Sequence, residues 1–248
     1  MKKFGLLGFP LGHSFSSKFF NEKFQNEHID AQYENFELPS IEQLPALLAA
    51  NPQLCGLNVT IPYKEKIIPF LNDMSNEAKA IGAVNVVKVV QQGNRPRLIG
   101  YNSDVIGFSG SIEPLLAAHH RRALVLGTGG ASKAVLYALH KLGVETQLVS
   151  RVGRSGIISY ADITPHMLAN DFKLVVNCTP VGMYPHTDEC PPLPYEAMNE
   201  QTLLYDLVYN PDETLFMKRG AEQGAVTKNG LEMLLLQAYA SWDFWNKE

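Results

Sequence analysis

Ala123-Leu124-Val125-Leu126-Gly127-Thr128-Gly129-Gly130-Ala131-Ser132-Lys133-Ala134 is the stretch whose reading decides the fold. An apolar strand runs straight into a glycine turn. Val135, Leu136, Leu139 and Leu142 beyond it are spaced as the inner face of a helix. Thr146-Gln147-Leu148-Val149-Ser150 then follows as a second strand at β-α-β spacing. A bare glycine cluster says little, and a plain structural turn is the alternative. Strand, glycines, helix and strand in this order are the setting of a dinucleotide fingerprint, whose backbone N–H groups approach a pyrophosphate at an anion-favouring helix N-terminus. The third glycine of that fingerprint is replaced by Ser132.

The end of the second strand bears on the cofactor. An NAD site places Asp or Glu there to pair with ribose hydroxyls. This chain has Ser150, then Arg151 and Arg154, a little over twenty residues past Gly127. Two guanidiniums pair with a 2′-phosphate, so NADP is expected; two solvated loop arginines are the plainer reading.

Working outward, Lys173–Cys178 and Leu203–Tyr209 read as further strands, Glu213–Arg219 as a short helix and Ala225–Thr227 as a last strand. Thr179–Pro185 is too rich in Pro and Gly to be helical. The run from Gly230 to Trp245 is apolar nearly all round, which predicts a buried helix. Gln237 is an isolated amide within it, to be satisfied by a ligand or by a cross-domain hydrogen bond.

Upstream, Phe4–Phe9 is a buried strand, followed by a turn through His13, Ser14 and Ser16 and a helix from about Ser17. One serine serves as N-cap; the other hydroxyls are open to ligand contact. Tyr33–Leu38 is a strand and Ile41–Ala50 a helix. Cys55–Val59 is a strand running into Thr60-Ile61-Pro62-Tyr63-Lys64-Glu65, with a break at Pro62 and a helix start. Asn58, Thr60 and Lys64 thus stand where α/β proteins place their chemistry, although a capped strand with a solvated lysine has the same local pattern. Asp73–Ala80 is helix-prone, and Gly82–Val87 leads into a strand running to Val90, which forms a hairpin with Leu98–Tyr101 through Gln92-Gly93-Asn94. Asn85, at the entry to an apolar strand, must be paired by backbone or ligand. Ser103 or Asp104 caps a helix running to His119, and the domain boundary falls here, where the pattern restarts.

The 248 residues allow one large domain or two ordinary ones. Apolar and charged fractions of 46% and 19% are those of a soluble globular protein, and a net charge of −4 argues against nucleic-acid or acidic-membrane partners. Three cysteines without a CxxC pair suit a reducing compartment. The apolar run after Met1-Lys2-Lys3 is too short for a signal peptide, and no run is long enough to span a bilayer, so a cytoplasmic location is expected.

His13-Ser14-Phe15-Ser16, Asn58-Val59-Thr60-Ile61-Pro62-Tyr63-Lys64-Glu65, Gly82-Ala83-Val84-Asn85, Asn102-Ser103-Asp104, the glycine turn, Asn177-Cys178-Thr179-Pro180-Val181-Gly182-Met183 and Asn229-Gly230-Leu231 through Gln237 together resemble the shikimate/quinate dehydrogenase family over essentially the whole chain. The resemblance implies an α/β protein of two domains. An N-terminal α/β substrate-binding domain would span 1–102 plus 231–248, the C-terminal helix returning to it. A Rossmann-type NADP-binding domain would span 103–230. It assigns Ser14, Ser16, Thr60, Asn85, Asp104 and Gln237 to the shikimate skeleton, with Tyr209 nearby, and makes Lys64 the catalytic acid/base with Asp104 beside it. It gives Gly127, Thr128, Gly129, Gly130 and Ala131 the pyrophosphate, Ser150, Arg151 and Arg154 the adenosine phosphate, and Leu207 and Gly230 the nicotinamide. No metal is implied, and the family contains monomers and homodimers. Ser17 stands where many members have proline and Ser103 where threonine is usual.

The implied activity is reversible, NADPH-dependent reduction of 3-dehydroshikimate to shikimate in chorismate and aromatic amino acid biosynthesis. A quinate or dual quinate/shikimate dehydrogenase is the nearest alternative. A non-catalytic binding protein on the same fold is a further one, against which an intact Lys64, Asp104 and glycine turn argue.

Overall fold

The computed structural model describes residues 1–12, 15–92 and 95–247, the side chain of Arg95 excepted. The chain divides into two compact units, Met1–Ser103 with Ala238–Glu248, and Asp104–Gln237.

The first unit contains β1 (Lys2–Gly8), α1 (Phe15–Asn26), β2 (Ala31–Glu37), α2 (Leu44–Ala50), β3 (Leu54–Val59), β4 (Asp73–Met74), α3 (Asn76–Ile81), β5 (Val86–Gln92) and β6 (Arg95–Tyr101). Its sheet has the order β2-β1-β3-β5-β6-β4. β1 runs parallel to β2 and β3, whereas β5 is antiparallel to both β3 and β6. Leu7, Leu54, Leu57 and Val87 are buried on one side. Phe4, Phe20, Tyr33, Val86 and Trp245 form a second cluster. Truncating a fully buried leucine such as Leu57 to alanine costs about 2–5 kcal/mol.

Several local expectations change for physical reasons. Ile41–Gln43 is a 3-10 turn, and α2 begins only at Leu44, with Pro45 at a first-turn position where no N–H is required. The helix expected after Pro62 is replaced by turns and a single 3-10 turn, Ile68–Phe70. Asp73 and Met74 pair with β6 as an edge strand, and Ser75 caps α3 by accepting from Ala78 N–H at 3.1 Å. The expected hairpin turn at Gly93 and Asn94 lies outside the described residues.

The second unit contains α4 (Asp104–Ile112), β7 (Arg122–Leu126), α5 (Gly130–Lys141), β8 (Glu145–Ser150), β9 (Ile157–Ser159), β10 (Leu174–Asn177), β11 (Leu203–Asp206), α6 (Leu215–Ala221) and β12 (Val226–Lys228). α4 stops at Ile112, well short of His119, because Pro114 lies in the 3-10 turn that follows. The sheet is parallel throughout, in the order β12-β11-β10-β7-β8-β9. That is the doubly wound order, with its switch point between β7 and β10. Ala123–Leu126 and Leu174–Val176 are wholly buried, as central parallel strands must be. The division between the units falls within the last helix, α7 (Leu231–Asn246). Tyr239 and Leu231 of α7 are exposed, so it is not buried all round as its composition predicts. Among the described residues no helix is long and apolar enough to cross a membrane.

Candidate active site

In the first unit Thr60, Lys64 and Asn85 lie together at one end of the central strands β1, β3 and β5. Thr60 follows β3 and donates its N–H to Leu7 O at 2.9 Å, at the carboxyl end of β1. Because β5 is antiparallel to β3, its N-terminal side reaches the same end, and Val59 N–H donates to Asn85 O at 2.8 Å. The turn carrying Lys64 is pinned from both sides: Tyr63 N–H donates to Thr60 O at 2.8 Å, and Val84 N–H donates to Lys64 O at 2.7 Å. Tyr63 and Ile67 are buried and anchor the turn, leaving Lys64 half-buried between them. Ser16 lies in the first turn of α1. Ser14 lies outside the described residues.

Asn85 is buried, and its Oδ1 accepts from Ser103 N–H at 2.7 Å while its Nδ2 donates to Ser103 Oγ at 3.0 Å. Asn58, on β3, has both ends of its amide engaged. Its Oδ1 accepts from the Tyr33 hydroxyl at 2.8 Å, and its Nδ2 donates to Ser241 Oγ at 2.9 Å.

In the second unit Asp104 is the first residue of α4 and is buried, where the helix dipole favours a carboxylate. One turn on, Gly107 lets α7 approach closely: a Cβ there would lie 2.4 Å from Met233 O and 3.2 Å from Gln237 Cβ. Gln237 is thereby seated against the first turn of α4. Tyr209 lies in the loop after β11, partly exposed, and burial raises its phenol.

The glycine turn joins β7 to α5 at the switch point. Gly127 has φ +102°, a conformation that disfavours any side chain, and a Cβ would meet Thr179 Cγ2 at 2.9 Å. Thr128 and Gly129 are exposed, and Gly130 and Ala131 open α5. Ser132 replaces the third fingerprint glycine without opening the packing. It is 1% exposed, and its hydroxyl donates to Gly129 O at 2.6 Å.

After β8, Ser150 Oγ donates to Val152 O at 2.5 Å, and Arg154 exchanges two backbone hydrogen bonds with Ile157 at 2.8 Å. Arg151 and Arg154 are both exposed, and among the described residues neither is ion-paired to a carboxylate. Gly230 is buried where Leu207 crosses it: a Cβ would lie 2.2 Å from Leu207 O. Positive φ at Gly127, an open turn leading into the α5 N-terminus and two uncommitted guanidiniums together fit a phosphorylated dinucleotide.

The sequence reading assigned no role to Asp206, which ends β11 fully buried. Its Oδ1 accepts from Asn177 Nδ2 and from Val208 N–H, each at 3.0 Å, and its Oδ2 accepts from Thr214 Oγ1 at 2.6 Å. The hydrogen bond to Val208 N–H turns the chain, so β11 ends at Asp206 rather than continuing to Tyr209. Asn177 Oδ1 in turn accepts from Thr179 N–H at 3.1 Å and Thr179 Oγ1 at 2.6 Å. Burial pushes Asp206 up to about 6, against the lowering effect of its three donors. Burial also raises the Cys178 thiol, helped by Asp206 and Asp104. A carboxylate closing an otherwise apolar strand was the visible sign.

Residues 6–87 match the family described as "Shikimate dehydrogenase substrate binding domain". The NADP(+) shikimate dehydrogenase of Carboxydothermus hydrogenoformans is 38% identical over 97% of this chain and 90% of that protein. The chain belongs to the shikimate dehydrogenase family. A second relative in that family, from Methanococcus aeolicus, is 34% identical over 98% of this chain and 91% of its own length. Among solved structures, the shikimate dehydrogenase of Thermus thermophilus in complex with NADP(H) and shikimate superposes with a TM-score of 0.84 at 31% identity, covering 100% of this chain and 94% of the other. The shikimate dehydrogenase of Aquifex aeolicus has a TM-score of 0.85 at 33% identity, covering 99% and 92%. The fold alone extends to the 5-ketofructose reductase of a Gluconobacter species, with a TM-score of 0.81 at 23% identity.

Proposed function

We propose that the chain catalyses the reversible reduction of 3-dehydroshikimate to shikimate with NADPH. The observation that carries this reading is the 38% identity over 97% of the chain to an NADP-dependent shikimate dehydrogenase. Three free thiols suit a cytoplasmic setting.

NADPH, when bound, supplies a hydride to the ketone carbon. The residues that would hold it are Gly127 to Ala131 at the pyrophosphate, Ser150, Arg151 and Arg154 at the adenosine phosphate, and Leu207 with Gly230 at the nicotinamide. The alkoxide left on the substrate is too basic to leave without a proton. Lys64 is assigned the donor: its ammonium delivers one proton to that oxygen, and its charge stabilises the anion as it develops. In the oxidative direction the same amine takes the proton back. Asp104, acceptor-only when ionised, is assigned to hold a substrate hydroxyl. Ser14, Ser16, Thr60, Asn85, Tyr209 and Gln237 are assigned the remaining hydroxyls and the carboxylate. Hydroxyls and amides suit a polyhydroxylated ring because they both donate and accept.

A panel of shikimate and quinate, each with NADP and with NAD, followed at the nicotinamide absorbance, tests the reading. Turnover fastest with shikimate and NADP is expected. Turnover only with quinate and NAD defeats the substrate and cofactor assignment, and none with any pair defeats the enzyme reading.

A further inference from the structure

Asn85, assigned above as a substrate contact, ends a hydrogen-bonded series inside the first unit that begins at Tyr33. Burial raises the Tyr33 phenol, and the nearby Ser16 side chain lowers it. Tyr33 donates to Asn58 Oδ1 at 2.8 Å, and Asn58 Nδ2 donates to Ser241 Oγ at 2.9 Å. Ser241 Oγ lies 3.2 Å from Ser103 Oγ, and Ser103 binds both ends of the Asn85 amide. Tyr33 is 2% exposed, and Ser103 and Ser241 are each 0% exposed. The series is threaded through a core of phenylalanines and tryptophans, in which Tyr33 stacks on Phe20 at 4.9 Å.

Polar groups so placed are costly to bury, and an apolar filling of the same volume would serve packing alone at least as well. What hydrogen bonds add is orientation. Ser103 N–H fixes which end of the Asn85 amide is the oxygen, and the Ser241 hydroxyl beside Ser103 Oγ limits how that group turns. At the other end, the Tyr33 hydroxyl fixes the Asn58 amide oxygen, and hence which end of that amide faces Ser241.

Resting on the reading above, we propose that Tyr33 and Ser241 are positioning residues for shikimate, acting through Asn58, Ser103 and Asn85 without touching the substrate. The series belongs to the substrate-binding function alone, so its loss acts on one ligand and spares the other.

The test is steady-state kinetics of Tyr33→Phe, Ser241→Ala and the double variant, with thermal unfolding to verify folding. Each single change is expected to raise the KM for shikimate about 3–10-fold, the worth of one intramolecular hydrogen bond, with kcat and the KM for NADP within about twofold. The double variant is expected to fall short of the product of the singles, since both act through Asn58. Ser103→Ala is expected to raise the shikimate KM and Ser103→Thr, which keeps the hydroxyl, to leave it near wild type. This pair decides the matter if Ser241→Ala does not fold. Folded Tyr33→Phe and Ser241→Ala with unchanged shikimate KM, or with equal rises for NADP, overturn the proposal. Asn85→Ala separates the two layers. If it raises the shikimate KM while Ser241→Ala does not, the positioning role alone fails; if it changes nothing, the substrate assignment fails with it.

Discussion

In the first unit, a neutral amide on β3, Asn58, ties β2 to α7 and through Ser103 to Asn85. In the second, a carboxylate at the end of β11, Asp206, gathers Asn177, Val208 and Thr214. Both nodes organise the chain near the carboxyl ends of buried strands, where α/β folds place ligands. They differ in charge, and that difference separates their responses to pH. The series from Tyr33 to Asn85 contains amides, hydroxyls and a phenol that burial raises further. Burial instead pushes the Asp206 carboxyl up to about 6. The node at Asp206 is therefore expected to respond to pH, and the neutral series around Asn58 is not.

The sharpest division of labour is between chemistry and holding. Lys64→Ala is expected to lower kcat about 10²–10⁴-fold while changing the shikimate KM much less, because proton delivery is lost and the pinned turn that carries it is kept. Near-normal turnover in that variant removes Lys64 from the chemistry and leaves the first unit a binding domain only.

Asp206→Asn breaks the comparison next. A folded-state value raised from 3.8 to about 6 means the native state binds more protons than the unfolded one between those values. Stability contributed by Asp206 is then fully present below the unfolded value and is lost as pH rises through the folded one. Between wild type and the non-titrating Asp206→Asn, the deficit of the variant is expected to be largest below the unfolded value of 3.8. It should narrow by roughly 3 kcal/mol by about pH 7, measured by urea unfolding at each pH. A gap that stays constant with pH shows that the three donors hold Asp206 ionised throughout, and the contrast between the nodes disappears.

How far these arrangements were legible in the sequence depends on the range of the signal. The glycine turn, β7, α5 and β8 were readable because strand, turn and helix follow one another in sequence with the right periods. The edge strands β4 and β9 were not, since two or three residues carry no period and pair only through tertiary context. Pro62 and Pro114 both interrupt the chain where polarity alone suggests a helix: turns follow Pro62, and α4 stops at Ile112. Lys64 and Asn85 could be picked out as polar residues in apolar surroundings. Asp206 has the same signature, yet its partners Asn177, Val208 and Thr214 belong to separate stretches, so only the fold shows that it is a node. Gly107 likewise gave no local signal, because its role depends on α7 crossing it.

Arg151 and Arg154 test the cofactor half from its exposed rim. The double change to alanine is expected to raise the NADPH KM at least about tenfold and leave the NADH KM nearly unchanged, since a charge-assisted contact to phosphate contributes about 1.5–3 kcal/mol and is absent with NADH. An unchanged ratio between the two cofactors moves the 2′-phosphate away from these side chains and leaves the choice to backbone and Ser150.

The smallest expected effect tests the neutral half by its constancy. Tyr33→Phe keeps the ring stacked on Phe20 and deletes one hydroxyl, so its stability cost is about 1 kcal/mol, near the net worth of a hydrogen bond, plus what Asn58 loses on the acceptor side. None of the groups in the series gains or loses a proton between about pH 4 and about pH 8, because amides and aliphatic hydroxyls do not titrate there and burial moves the phenol further away. The gap between wild type and Tyr33→Phe should therefore be flat over the range in which the Asp206→Asn gap slopes. A slope in the Tyr33→Phe gap means that a titrating neighbour is coupled to the series, and the pH independence assigned to this half is then lost even if its role in orienting shikimate survives.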